Sequence, residues 1–427
     1  MPVTEFHCSQ MLLPDGSVRA GTFRFSSGQW HQCDVIAPLD RLAVGEYLSP
    51  LWPIDFHCHG IGRFDFSEVD TLDLAEVDSL LAQQGIDAII TLHLSRRYLQ
   101  SFAALCRRFH AGARDGLYTH IGGFALEGPV LASSGGAPAA GVWAPTCGEW
   151  ETIAACGEYG LVYVVMSPDA GEASSEFTGR AGLPPSTDWM AETLLDGGVR
   201  PALGHFLHDQ PERSAAASRR LLAIGQRRQV EFISDHLFND MPRAFRHAWR
   251  TADERRFRDD ELRTHAPWDW SPGRLAQLLG PVPAALLEGA RGGSIMLCLN
   301  FDGDHVDLEF SSRVVSLLGS GRLIGMTDRV EGGRFGGKQM TQRLDNSLLY
   351  EERGIVAAGT KTISQQLENL RRRGVREEAI WQMFAFNPAR MIAGIPSVPE
   401  TMPPSRGCFV TANGACHSFL TQVNASV

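Results

Sequence analysis

The sequence predicts a (β/α)8 TIM-like barrel, an α/β fold, flanked by a small β-domain built from both termini. Three observations lead there. Eight short apolar runs recur along the middle of the chain with helical segments between them. Six residues with metal-ligand chemistry stand at the ends of those runs, where a parallel barrel presents side chains at its active-site mouth. Both ends of the chain, in contrast, read as short strands and turns with little helical periodicity.

Residues 1–50 carry FHCSQMLL, TFRFSS and CDVIAP, with Asp15-Gly16 as a turn signal between the first two. The barrel is expected over 51–396. Its strands are 53–57, 86–94, 120–127, 161–167, 199–205, 229–236, 294–302 and 322–328. Several are continuous apolar runs, as in strands buried on both faces. Stretches such as TLDLAEVDSLLAQQG and YLQSFAALCRRFHAGA have helical spacing and end near glycine. Residues 242–293 form an insertion longer than an ordinary connection, rich in mixed charge and holding Trp249, Trp268 and Trp270. It reads either as an elaborated pair of surface helices or as a lid following the strand of His236. Residues 397–427, with Pro399, Pro403 and Pro404 leading into GCFVTANG and SFLTQV, complete the small β-domain.

At 427 residues and 44% hydrophobic content the chain can bury a large core. A formal charge of −10 argues against a broad nucleic-acid surface, which needs a basic patch. Nine cysteines without CxxC pairs, an odd number, do not suit a secreted disulfide framework. The first residues lack the basic and apolar regions of a signal peptide, and no run is long enough to span a bilayer. The expectation is a soluble cytoplasmic protein acting on a small molecule, with neither nucleic acid nor membrane as partner.

The six candidate ligands are His57 and His59 in PIDFHCHG, Glu127 in GGFALEGP, His205 in PALGHF, His236 in FISDHLFN and Asp328 in LIGMTDRV. A lone histidine closing an apolar run is ordinarily a packed, hydrogen-bonded core residue. Six such groups, each at a strand terminus, are not explained that way. Nitrogen and carboxylate donors from several strands suit Zn²⁺, Fe²⁺, Mn²⁺ or a similar ion. Cys58 alternates to the opposite face of its strand and reads as a small buried residue.

An ion on Glu127, His205 and His236 keeps a position for water, and Asp328 is then the general base that returns its proton to a leaving nitrogen. His57 and His59, at i and i+2, bind a second ion or orient the water. His305, in NFDGDHVD, stands where it can hydrogen-bond a developing oxyanion. His93 closes the second strand as a structural or supporting histidine. This division of labour fits amide hydrolysis.

The motifs IDFHCHG, ALEGP, LGHF, DHLFNDMP, FDGDHVD, MTDRV and FNPARMIAG, in this order over residues 50–395, resemble the N-acetylglucosamine-6-phosphate deacetylases of the amidohydrolase superfamily. HLFN-x-MP and DG-x-HVD discriminate best. The resemblance implies a metal-dependent barrel with a terminal β-domain and a homodimer. It also implies metal on Glu127, His205 and His236, catalysis by Asp328, and substrate contact by Asn239 and His305. Members differ on whether the positions of His57 and His59 hold a second ion, so one or two ions are implied, Zn²⁺ first.

Three departures concern the substrate. GGAPAAG puts Pro138 where the family has a sugar-contacting histidine. HLFNDM puts Asp240 where a small residue lies near the phosphate, a repulsive neighbour unless a cation intervenes. The GREPG segment expected next gives way to the insertion, whose Arg243, Arg246 and Arg250 match no phosphate ligand by motif. The expected activity is therefore removal of an acetyl or similar acyl group from an N-acylated amino sugar or related amine. The rivals are hydrolysis of an unrelated, phosphate-free amide, and a binding protein that has kept the fold without turnover. Retention of Asp328 argues against the last, since a binder needs no proton shuttle.

Overall fold

A computed structural model describes residues 4–13, 17–26, 29–39, 46–171, 185–245, 251, 264, 269–393, 407–411 and 414–418. The Asp15-Gly16 turn, Trp249, Trp268, Arg246, Arg250 and the three C-terminal prolines lie outside them.

Each of the eight apolar runs forms a strand: Ile54–Ile61, Asp87–Leu92, Ile121–Glu127, Leu161–Met166, Arg200–Leu203, Phe232–His236, Ile295–Asn300 and Leu323–Met326. They are hydrogen-bonded in chain order and parallel. Leu161–Met166 and Ile295–Asn300 are buried at every position, as the unbroken apolar runs require. The helices between them follow their sequence signals. Leu74–Gln84 starts on the Asp73 carboxylate, which accepts from the Ala75 and Glu76 amides, and stops at Gly85 in the left-handed region. Leu99–Arg114 buries Leu99, Phe102, Cys106 and Phe109, three and four residues apart, against the sheet.

The ring closes through a break in its last strand. Leu323–Met326 pairs with the seventh strand, whereas Arg329 and Val330 pair with Cys58 and Gly60 of the first. At the break, the Thr327 amide and hydroxyl donate to the buried Asp55 carboxylate at 3.1 and 2.6 Å, and the Asp328 amide donates to the His57 carbonyl at 2.9 Å. From below, the Asn387 side chain of the FNPARM motif donates to the carbonyls of Ser320 and Leu323 at 2.8 and 2.6 Å. Asp328 is thus aimed from both sides of a seam.

The two chain ends meet in one sheet, ordered Cys416–Ser418, Cys408–Val410, Tyr47–Ser49, Thr4–Leu12, Val18–Ser26, Gln29–Leu39. The Tyr47 hydroxyl ties it to the barrel, accepting from the Trp381 indole at 2.5 Å and donating to Glu377 at 2.7 Å.

Two regions differ from their sequence reading. Pro281–Arg291, at the end of the long 242–293 segment, is an ordinary barrel helix packed on Pro211–Arg228 and on the seventh strand. Trp270 is buried against Phe310, with ring centroids 5.4 Å apart. Beyond the last barrel strand, an excursion of very short strands, including Leu348–Tyr350 and Val356–Gly359, folds back toward the mouth. No described helix is long and apolar enough to cross a membrane.

Candidate metal centre

The strand ends bring His57, His59, Glu127, His205, His236 and Asp328 together, all buried. Glu127 is the hub. Its Oε2 lies 3.1 Å from His57 Nε2 and 2.9 Å from His59 Nε2. Its Oε1 lies 2.5 Å from His205 Nε2 and 3.3 Å from His236 Nε2. Asp328 Oδ1 stands 3.2 Å from His59 Nε2. Two donor sets result, sharing one glutamate: His57, His59, Glu127 and Asp328; and Glu127, His205, His236 and Asp235.

The outer ring nitrogens fix which lone pairs face inward. Tyr163 donates its hydroxyl proton to the Phe56 carbonyl at 2.8 Å, so it accepts from His57 Nδ1 at 3.0 Å. His59 Nδ1 donates to the Thr91 carbonyl at 3.2 Å and His205 Nδ1 to the Ser133 carbonyl at 3.0 Å. Each pattern assigns a proton to Nδ1 and turns Nε2 to the centre, as metal-binding imidazoles require. His93 is part of the same cluster: its Nδ1 donates to the Glu127 carbonyl at 3.0 Å, its Nε2 is 3.2 Å from Glu127 Oε2, and its ring stacks on His59.

The field at the centre is negative. Burial would discharge His59 and His236, yet the carboxylates around them outweigh it and lift them to about 10 and about 9. Burial would likewise protonate Asp328, but His59, His236 and His305 hold it down at about 2. The same field that retains protons on these nitrogens favours a cation in their place. Asp235 tests that fit. It is 2% exposed, and neither of its oxygens has a hydrogen-bond partner. A carboxylate buried in that state needs a compensating positive charge. These His, Glu and Asp groups are therefore able to hold a divalent ion.

The backbone is strained at this site. His205, Phe238, Asp240 and Asp328 all have positive φ, between 28° and 75°, a region costly for residues with a side chain. Asp328 Oδ2 is 3.3 Å from His305 Nε2, while His305 Nδ1 donates to Asp302 at 2.6 Å. Against the opposing effect of burial, Asp302 and Asp328 raise the His305 pKa.

Over the centre lies a cavity of about 30 Å³ bounded by Glu127, His236, Asn239 and Asp328 below and by residues 135–137 and 355–357 above. That volume suits a water molecule. The two upper segments touch: a Cβ on Gly136 would fall 2.1 Å from the Val356 carbonyl oxygen. Arg353 donates to the Gly135 carbonyl at 3.1 Å, and Thr251 bridges to Ile355. Asn239 Oδ1 is buried without a hydrogen-bond partner. Pro138 packs against Gly336, outside the cavity lining.

Asp240, in the cavity lining, has two histidine neighbours. Its carboxylate is not an unbalanced charge: Oδ2 is 3.0 Å from His205 Nδ1 and Oδ1 is 2.9 Å from His208 Nε2. Despite burial, those two histidines hold its pKa well below the usual carboxylate range. Asp240 backs a metal-facing imidazole, and His208, three residues after His205, was the overlooked signal. Asp235 was missed as well, because simple alternation sends it away from the face of its neighbour His236.

A barrel whose strand ends deliver two histidine–carboxylate sets joined by one glutamate has the donors of a metal site beneath a water-sized chamber. Its fold is that of the N-acetylglucosamine-6-phosphate deacetylases. The chain superposes on the deacetylase of Pasteurella multocida with a TM-score of 0.66 at 14% identity, covering 97% of each chain. The Thermotoga maritima enzyme gives 0.64 at 16%, covering 97% of this chain and 96% of that one. The Mycobacterium smegmatis enzyme, solved with N-acetyl-D-glucosamine-6-phosphate, gives 0.64 at 18%, covering 97% of each. No family model matches the sequence, nor does any curated protein.

Proposed function

We propose that this protein is a metal-dependent amide hydrolase that removes an acetyl or similar acyl group from an N-acylated amino sugar or a related amine. One observation carries the reading: Asp328 touches both the donor cluster and His305 at the edge of a water-sized chamber, with Asp328 Oδ1 3.2 Å from His59 and Oδ2 3.3 Å from His305. The likeness in fold to deacetylases supports it.

Glu127, His205 and His236, with His57 and His59 beside them, would hold a divalent ion, Zn²⁺ first, which would supply Lewis acidity. The protein's own groups do the rest. Asp328, ionised far below neutrality, takes the proton of the attacking water and delivers it to the departing nitrogen. His305, set between Asp302 and Asp328, donates from Nε2 to the substrate oxygen as its charge develops when it carries a proton there. Asn239 offers its unpartnered buried oxygen to an N–H or O–H of the substrate.

A second reading, a phosphate-free amide, is favoured by one feature. Among the described residues no lysine or arginine lines the chamber, and Arg243 donates instead to the Phe238 carbonyl at 2.9 Å. A phosphate dianion needs such donors. The test is a panel of N-acetyl amino sugars, phosphorylated and unphosphorylated, assayed for acetate and free amine. Release from an amino sugar at kcat/KM of at least ~10⁴ M⁻¹s⁻¹, in the ordinary enzyme range, is expected. Absence of release from every member by metal-loaded protein would reject the amino-sugar reading.

A further inference from the structure

We infer that Asp235 is a ligand of the ion held by Glu127, His205 and His236. The inference rests on the metal-centred reading above and assigns this chain's own residue to it.

On a regular strand Asp235 and His236 would face opposite ways. Here the sixth strand is irregular. Ile233 pairs with Met296, but the next pair is His236 with Cys298, so three steps on one strand match two on the other. The extra residue turns both side chains inward. The facing strand end makes room for the carboxylate, since a Cβ on Gly204 would sit 2.4 Å from Asp235 Cβ and 2.6 Å from its Oδ2.

The position that results is a donor's position. Asp235 Oδ2 is 3.2 Å from His236 Nε2 and 3.5 Å from His205 Nε2. Donor atoms held ~2.0–2.1 Å from one tetrahedral ion lie roughly 3.3 Å apart. The two histidines meet Asp235 with the same inward nitrogens that meet Glu127 Oε1. A buttressing role is taken elsewhere: Oδ1 is 3.5 Å from His57 Nδ1, whose proton goes to the nearer Tyr163 oxygen at 3.0 Å. Neither Asp235 oxygen accepts any hydrogen bond, although the residue is 2% exposed. A merely structural aspartate at that depth would have donors around it. With Glu127 and Asp328, it brings the carboxylates of the shared centre to three, a charge suited to two divalent ions.

The test compares the parent with Asp235→Asn, both purified after growth in zinc and then stripped and reloaded. Metal content is read by elemental analysis and affinity by competition with a chromogenic chelator. Losing an orienting partner costs ~10–100-fold in affinity, so losing a ligand is expected to weaken binding of one ion by 100-fold or more. Cobalt-loaded protein should also change its visible absorption on substitution. The stripped variant should melt no lower than the stripped parent, because a buried charge has gone, while its gain in Tm on adding zinc shrinks. Gly204→Ala provides a second arm: it keeps every donor and crowds the Asp235 side chain, and it should lower affinity in the same direction. Metal content and chelator competition equal to the parent in either soluble variant would overturn the inference and leave the hydrolase reading intact. A parent that binds no divalent ion would overturn both.

Discussion

The floor and the roof of the chamber are built by different means. The floor consists of barrel strand ends whose histidines are oriented by fixed hydrogen bonds to Tyr163, Thr91 and Ser133. The roof consists of residues 135–137 and 355–357, loop and excursion joined by Arg353, with Thr251 bridging to Ile355. Chemistry demands atoms positioned to within fractions of an ångström, which strands packed on both faces supply. Substrate selection can be rebuilt on loops without disturbing that frame. A chamber of about 30 Å³ is smaller than the N-acyl amine proposed as substrate.

Three substitutions break this contrast, in falling order of effect. Glu127→Ala removes the carboxylate common to both donor sets. Metal content should collapse in elemental analysis, with a loss of affinity beyond the ~10–100-fold of an orienting group, and activity should vanish with it. Retention of both ions would mean that the histidines alone define the floor. Next, Asp328→Asn keeps shape and most of the metal but loses the base, so kcat should fall roughly 10²–10⁴-fold. Turnover near that of the parent would send the proton elsewhere. The mildest is Gly136→Ala in the roof. Its new Cβ meets the Val356 carbonyl, so the segments must part, at about 1–3 kcal/mol as for overpacking. KM should change more than kcat, and metal content not at all. A collapse of kcat with KM unchanged would place the roof among the catalytic parts.

Floor and roof were also unequally legible in the sequence. The six ligands could be read because each closes an apolar run long enough to be a buried strand, and burial makes a polar terminus informative. Asp235 could not, since a one-residue irregularity between Ile233 and His236 reverses its direction and leaves no compositional mark. Asp240 was visible, but its meaning depended on His208, a partner from a neighbouring loop. The excursion before Gly359 escaped because its strands are two to four residues long and polar or glycine-rich around them. Strands that short are specified by their neighbours more than by their own pattern.

The broken last strand has a consequence for biosynthesis. The same few residues, Thr327 to Val330, close the ring against Cys58 and Gly60 and turn Asp328 toward the cluster. Arg329 and Cys58 are 271 positions apart in the chain. A ribosome therefore releases His57 and His59 long before Asp328 exists. The donor set of His57, His59, Glu127 and Asp328 is consequently completed only once this seam is made, and a chain truncated short of it would lack both a closed barrel and that set.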